Sequence, residues 1–178
     1  MLFLTQLLAN GIHFDLGLGG GAIWLRNGMM RSSSRPQVFF PDHISRYGAL
    51  MLRLGYRWTF NNGIFFDWDF LGLPTSFTTF KVGRLFMDRK LAIYGIIDPA
   101  VVIITPSLFG YGTLLGAGSS YQFAKNISFT GELHVCIHHN LNMGHHEEQK
   151  RVIKAYFSRS PSIRLFAGVT FHPAKHNQ

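Results

Sequence analysis

Arg53 and Arg57 stand four residues apart in the stretch GALMLRLGYRWTF, and Asp67 and Asp69 two residues apart in GIFFDWDFL. Charges set singly among leucines and aromatics have one common chemistry, which is mutual neutralisation away from water. A buried charge survives only when it is paired and hydrogen-bonded. The same type of residue recurs further along as Asp15, Glu132, His134 and Arg164. A second kind of chemistry is offered by HVCIHHNLNMGHHEE. There His134, His138, His139, His145 and His146, with Glu147 and Glu148, bring imidazoles and carboxylates that suit a divalent cation. Their spacing defines no particular site, and a solvated loop is the alternative. Hydrolytic and nucleotide motifs are missing: no GxSxG, no P-loop, and no GxGxxG opening a helix. The glycine run from Gly17 to Gly21 lies inside a strand pattern.

The elements that must position these groups have period two. From Gly48 to Phe60, Leu50, Leu52, Leu54, Tyr56, Trp58 and Phe60 share one face, and Met51, Arg53 and Arg57 the other. A helix would mix these two sets; a strand separates them. Gly63–Leu71 sets Ile64, Phe66, Trp68 and Phe70 against Phe65, Asp67, Asp69 and Leu71. His13–Leu25 sets Phe14, Leu16, Leu18 and Trp24 against His13, Asp15 and three glycines. Asn126–His138 opposes Phe129, Leu133, Val135 and Ile137 to Glu132, His134, Cys136 and His138, and Ser162–Phe171 carries Arg164 opposite Ile163 and Leu165. Gly110–Phe123 has the same split with a glycine-rich second face. Two more strands, Phe77–Met87 and Lys90–Ile104, show no clean division.

Short polar turns, NNG at 61–63, DRK at 88–90 and AKN at 124–126, alternate with longer connections at 27–44, 72–76, 105–107 and 139–161. Short turns at one end and long loops at the other are the habit of transmembrane barrels. The pattern predicts an all-β, up-and-down antiparallel transmembrane β-barrel over 11–171. Eight strands are expected if Val152–Phe157 is a short ribbon within the 139–161 excursion. Ten become available if MLFLTQLL is itself a strand; residues 1–10 read otherwise as a signal-peptide remnant, and 172–178 as a tail.

Composition agrees. The chain has 178 residues, enough for one domain, and is 47% hydrophobic but only 15% charged. It is 15% aromatic with 19 Gly, which excludes a disordered chain and a coiled coil. A single Cys excludes a disulfide framework. No stretch of 18 apolar residues exists to form a membrane helix. The formal charge of +8 is spread singly without a nucleic-acid motif, which argues against nucleic acid and leaves lipid phosphates, a polar interior that needs cations, or solubility alone as readings. The face assignment separates two barrels. A soluble lipocalin-like barrel puts its apolar face inside, and a membrane barrel puts it outside. The polar faces hold few charges and many glycines and serines, as a narrow packed lumen does. Trp24, Tyr56, Trp58, Phe60, Tyr121 and Phe123 sit near strand ends, at the headgroup level that aromatic rings prefer.

LGYRWTFNNGIFFDWDFLG resembles the second hairpin of small bacterial outer-membrane barrels of the OmpA/OmpX type. GYGTLLGAGSSYQFAKNISFTGEL is similar to their glycine-rich strand, turn and following strand, and GVTF, ending at Phe171, to the C-terminal strand read by the barrel assembly machinery. Seven residues follow Phe171, a departure from the usual terminal Phe. The resemblance covers 45–171 at the level of pattern. It implies a bacterial outer-membrane location, contact with membrane lipid and lipopolysaccharide, a monomer, no cofactor, and a structural, adhesive or surface-interaction role. The inward set Arg53, Arg57, Asp67, Asp69, Glu132, His134 and Arg164, with Asp15, is then expected to form a lumen ion-pair network. Asp67 is expected to pair with Arg53, and Glu132 to reach Arg164. IHHN at 137–140 also resembles, faintly, the His-x-Ser-Asn signature of PagL-type lipid A deacylases. That match sets His138 on the catalytic His but Asn140 on the nucleophile, and Asn cannot act as one. No catalytic residue is expected.

Overall fold

The computed structural model describes residues 11–26, 28–32, 35–40, 42–73, 79–104, 108–146 and 152–172. Ten strands run through them: β1 (Gly11–Leu25), β2 (Gly28–Ser32), β3 (Arg35–Phe40), β4 (His43–Thr59), β5 (Ile64–Leu73), β6 (Thr79–Phe86), β7 (Leu91–Ile104), β8 (Leu108–Ala124), β9 (Ile127–His146) and β10 (Val152–Phe171). All pairings are antiparallel, in the order β1-β4-β5-β6-β7-β8-β9-β10, and β10 returns to β1 through pairs from Phe14↔Phe171 to Ile23↔Ser162. Eight strands therefore close a barrel, which satisfies every ladder without leaving an edge in the ring.

β2 and β3 stand outside that ring. They form a hairpin within the 27–44 connection, and β2 adds to the loop-end extension of β10 through Lys154↔Arg31 to Tyr156↔Met29. The 139–161 excursion is likewise built differently from a loop with a separate ribbon. β9 continues to His146 and β10 starts at Val152, so Val152–Phe157 is the first part of β10. Residues 1–10 and 173–178 lie outside the described residues, and so does the reading of 1–10 as signal or strand.

The faces are inverted relative to a water-soluble barrel. Leu18 is 70% exposed, Leu165 63%, Leu115 59% and Phe129 56%, whereas Asp15, Asp67, Asp69 and Glu132 are buried. A continuous apolar exterior of this kind would be an aggregation liability in water and suits hydrocarbon. Rings gather near the short-turn end of that exterior, where Tyr56 lies 4.7 Å from Trp58 and Phe123 stacks on Phe129 at 4.2 Å.

Inward glycines make room for the interior. A Cβ on Gly118 would lie 2.5 Å from the Tyr94 ring, and one on Gly55 2.4 Å from Asp69 Oδ1. Thus the glycine-rich face of β8 faces the strands that project the largest inner side chains. A narrow eight-stranded barrel has no space for side chains from every strand at one level.

Bulges alter the alternation locally. In β5, Leu54 pairs Leu71 but Gly55 pairs Asp69, leaving Phe70 as an extra residue. Leu71 is consequently 50% exposed rather than inside with Asp67, contrary to the unbroken alternation read from the sequence. A second irregularity lies between Asp98 and Val101 of β7, where Pro99, which has no N–H to offer a ladder, is accommodated and Asp98 Oδ1 accepts from Ala100 N at 3.0 Å. The undivided strands also resolve. Thr79, Lys81, Gly83 and Leu85 of β6 point inward, as do Ala92, Tyr94, Ile96 and Asp98 of β7. Phe65, Ala92, Tyr94, Ile96, Leu114 and Cys136 form an apolar cluster inside the barrel, so the lumen is not uniformly polar.

Candidate functional site: the charged lumen

The inner side chains meet in tiers set by strand register. Nearest the short turns, Arg57 and Asp67 are direct cross-strand partners on β4 and β5. Arg57 donates from Nε to Asp67 Oδ1 and from Nη2 to Oδ2, both at 2.7 Å, and its guanidinium lies 4.3 Å from the centre of the Phe65 ring. The fork geometry is the strong form of a carboxylate pair.

The middle tier is centred on Lys81. Its Nζ is 3.0 Å from Asp15 Oδ2, 3.1 Å from Asp69 Oδ2 and 3.5 Å from Glu132 Oε1. Arg53 donates to Asp69 Oδ2 at 3.3 Å and also to Glu132, and it contacts Met51 Sδ. Tyr94 donates its hydroxyl to Glu132 Oε1 at 2.9 Å, His134 Nε2 lies 2.9 Å from Glu132 Oε2, and His13 Nε2 lies 2.9 Å from Asp69 Oδ1. Carboxylates from β1, β5 and β9 thus share cations from β4 and β6. Asp69 and Glu132 are multiply hydrogen-bonded, as charges withdrawn from water must be, whereas Asp15 accepts from Lys81 through Oδ2 and its buried Oδ1 has no hydrogen-bond partner.

Toward the loops the tier is less charged. Arg164 holds its guanidinium 5.9 Å from the Tyr47 ring centre, and Thr79 donates to Asp98 Oδ2 at 3.0 Å. His138 Nε2 lies 2.9 Å from Ser162 Oγ, with Cys136 Sγ 3.6 Å from its Nδ1.

All the inward residues named from the sequence therefore face the interior, but their partners differ from those expected. Asp67 is taken by Arg57, not Arg53, because the register sets Arg57 directly opposite it while Gly72 stands opposite Arg53. Glu132 does not reach Arg164. It is two residue pairs nearer the short turns, opposite Phe166, and is engaged by Arg53, Lys81, Tyr94 and His134. Lys81, His13 and Tyr94 join the network without having been singled out by sequence. For Lys81 a usable signal existed: a lone cation between Phe80 and Val82, at the same alternation as Thr79.

The histidine stretch does not assemble. His134 and His138 share the inner face of β9 but engage Glu132 and Ser162, while His139 turns outward to Thr113 Oγ1 at 3.1 Å. The side chains of 145–148 lie outside the described set. A different cluster, His13, Asp15 and Asp69, brings ligand atoms within 4.8 Å of one another, yet the Lys81 ammonium already contacts both of its carboxylates. His138 and Ser162 do pair as a base and a hydroxyl would. The group on the far nitrogen is the Cys136 sulfur, not an acid, and the pair is buried away from lipid.

No protein-family model matches the sequence, and no curated protein matches it. Among solved structures, the crystal structure of the outer membrane protein OprG from Pseudomonas aeruginosa aligns with a TM-score of 0.53 at 9% identity, over 92% of this chain and 96% of that one. This chain has the fold of a small outer-membrane β-barrel. Neisserial surface protein A aligns with a TM-score of 0.31 at 13% identity, over 88% and 96% of the two chains. The outer membrane protease OmpT from Escherichia coli gives 0.34 at 8%, over 91% and 96%. In that fold the network lies on the inner face of the closed ring, opposite the leucines and aromatics of the same strands.

Proposed function

We propose that the chain is an integral barrel of a bacterial outer membrane, with a side-chain-filled lumen and a structural, adhesive or surface-interaction role. The observation carrying this reading is the inversion of its faces. Arg53, Lys81, Asp15, Asp69 and Glu132 are buried together, while the leucines and aromatics of the same strands point out. The soluble lipocalin-like alternative needs the opposite arrangement. A plugged lumen directs function to the rim, where the β2–β3 hairpin and the extended β9–β10 hairpin continue beyond the ring. Folding is then a task for the barrel assembly machinery, and lipid is the obligatory surrounding partner.

The test is electrophoretic migration of unboiled against boiled protein refolded into detergent, with proteolysis of whole cells to locate the hairpins. A heat-dependent shift and surface cleavage within 27–44 are expected. Recovery of the chain as a folded monomer without detergent would overturn the reading.

A further inference from the structure

We infer that the loop-end rim over β4, β1, β10 and β2 is a binding surface for phosphorylated lipid headgroups of the outer leaflet. The inference rests on the membrane reading above. Arg26, Arg46 and Arg159 are exposed there, and among the described residues none has a carboxylate partner. Register brings them onto adjoining strands. Arg46 of β4 pairs with Ala22 of β1, and Arg26 directly follows β1 and donates its backbone N–H to Ser160 Oγ of β10 at 3.2 Å. Arg159 is the residue before that serine.

Arg159 has φ 53, a left-handed conformation that is strained for a non-glycine residue. The consequence is visible in its neighbours. Phe157 and Ser160 are both buried, so the irregularity between them turns Arg159 out to the surface instead of burying it. Beyond it, Lys154 of β10 and Arg31 of β2 occupy directly paired positions. Asp42, just before β4, is an exposed carboxylate at this end of the barrel.

The position selects the class of anion. Trp24 precedes Arg26 on the outer face of β1, with Leu16 and Leu18 further down the same face, so Arg26 sits just past the apolar band, and Arg46, opposite Ala22, lies at its margin beside the Trp24–Ile44 pair. That is the headgroup level, and in a barrel with short periplasmic turns the long-loop end is the outer one. A lipid bearing phosphomonoesters, such as the lipid A portion of lipopolysaccharide, would lay its acyl chains along β1 and β10 and its phosphates against these arginines.

The experiment uses the full chain refolded in mixed micelles, with bis-phosphorylated lipid A and its dephosphorylated form as probes and native mass spectrometry or Trp quenching as readout. Arg26→Gln, Arg46→Gln and Arg159→Asn are combined in one variant. Arg84→Gln, Lys90→Gln and Lys125→Gln, exposed cations near the short turns, form a charge-matched control. Each cation near an anionic lipid surface changes affinity by about fivefold, so the rim variant is expected to bind phosphorylated lipid A about a hundredfold more weakly. The control and the dephosphorylated lipid should show little effect and little binding. Equal loss in both variants, equal binding of both lipids, or displacement by inorganic phosphate at the lipid's own concentration overturns the inference. Heat-modifiable migration of each variant is scored separately, so a failed barrel is distinguished from a barrel without this site.

Discussion

Lys81 and Asp15 meet across the barrel at 3.0 Å although β6 and β1 are not neighbours in the sheet. Such a contact cannot be made through the ladder; it joins opposite walls. Removing the ammonium leaves Asp15, Asp69 and Glu132 gathered with one fewer cation. Lys81→Met should destabilise the barrel by about 3–5 kcal/mol, the usual result of breaking one side of a buried pair. Urea unfolding in lipid micelles, followed by Trp fluorescence, measures it. Adding Asp15→Asn to Lys81→Met should recover part of the loss, and a further loss would mean that the two do not interact.

The lower tier gives a sharper discrimination. Asp67 and Arg57 form two hydrogen bonds at 2.7 Å, whereas Arg53 engages Asp69 and Glu132. A double-mutant cycle of Arg57→Ala with Asp67→Ala should give a coupling of about 1–3 kcal/mol. The parallel cycle of Arg53→Ala with Asp67→Ala should be additive within about 0.5 kcal/mol. Coupling of equal size in the two cycles would place Asp67 between both arginines.

These two cycles mark the limit of what the sequence makes legible. Facing is readable wherever one side is apolar without exception, as in Leu50, Leu52, Leu54, Tyr56 and Trp58, because period two then has one solution. Partnership is not, since it depends on register and on single extra residues such as Phe70, which moves Leu71 outside. β6 and β7 are unreadable for another reason. Their inner faces carry Leu85, Ala92 and Ile96, so both sides are apolar and the polarity contrast disappears. Beyond the ring, Leu141 and Met143 still alternate with Asn140 and Asn142, but His139 and His145 make the apolar side partly polar, so the length of β9 is not legible from the contrast.

Glycines offer a test of space. At Gly168 a Cβ would lie 2.2 Å from Leu16 O and 2.5 Å from Gly17 Cα, both backbone atoms of β1 that cannot rotate away. At Gly131, on the outer face of β9, it would meet nothing within 4 Å. Gly168→Ala should therefore cost about 1–3 kcal/mol through overpacking. Gly131→Ala should stay within about 0.5 kcal/mol of the parent. Equal unfolding midpoints for the two variants would show that the β1–β10 seam is looser than its geometry indicates.

His172 follows the last strand, at the short-turn end. Its backbone N–H donates to Asn126 O at 2.8 Å, and its ring Nε2 lies 3.3 Å from Ser128 Oγ. Burial, reinforced by the Arg57 guanidinium and by His13, holds its imidazole at about 4, below the ordinary histidine value. The folded state therefore keeps His172 neutral where the unfolded chain would protonate it. Its contribution to stability is complete above about pH 6.5 and declines as pH falls from there toward 4, because the unfolded state binds the extra proton. Below that range both states are protonated and the slope ends. His172→Gln keeps a hydrogen-bonding side chain but removes the titration. Unfolding free energies of parent and variant, measured between pH 7 and pH 4, should diverge by a slope approaching one proton, with the parent the steeper. Parallel curves would show that the ring is protonated as easily in the barrel as in the open chain.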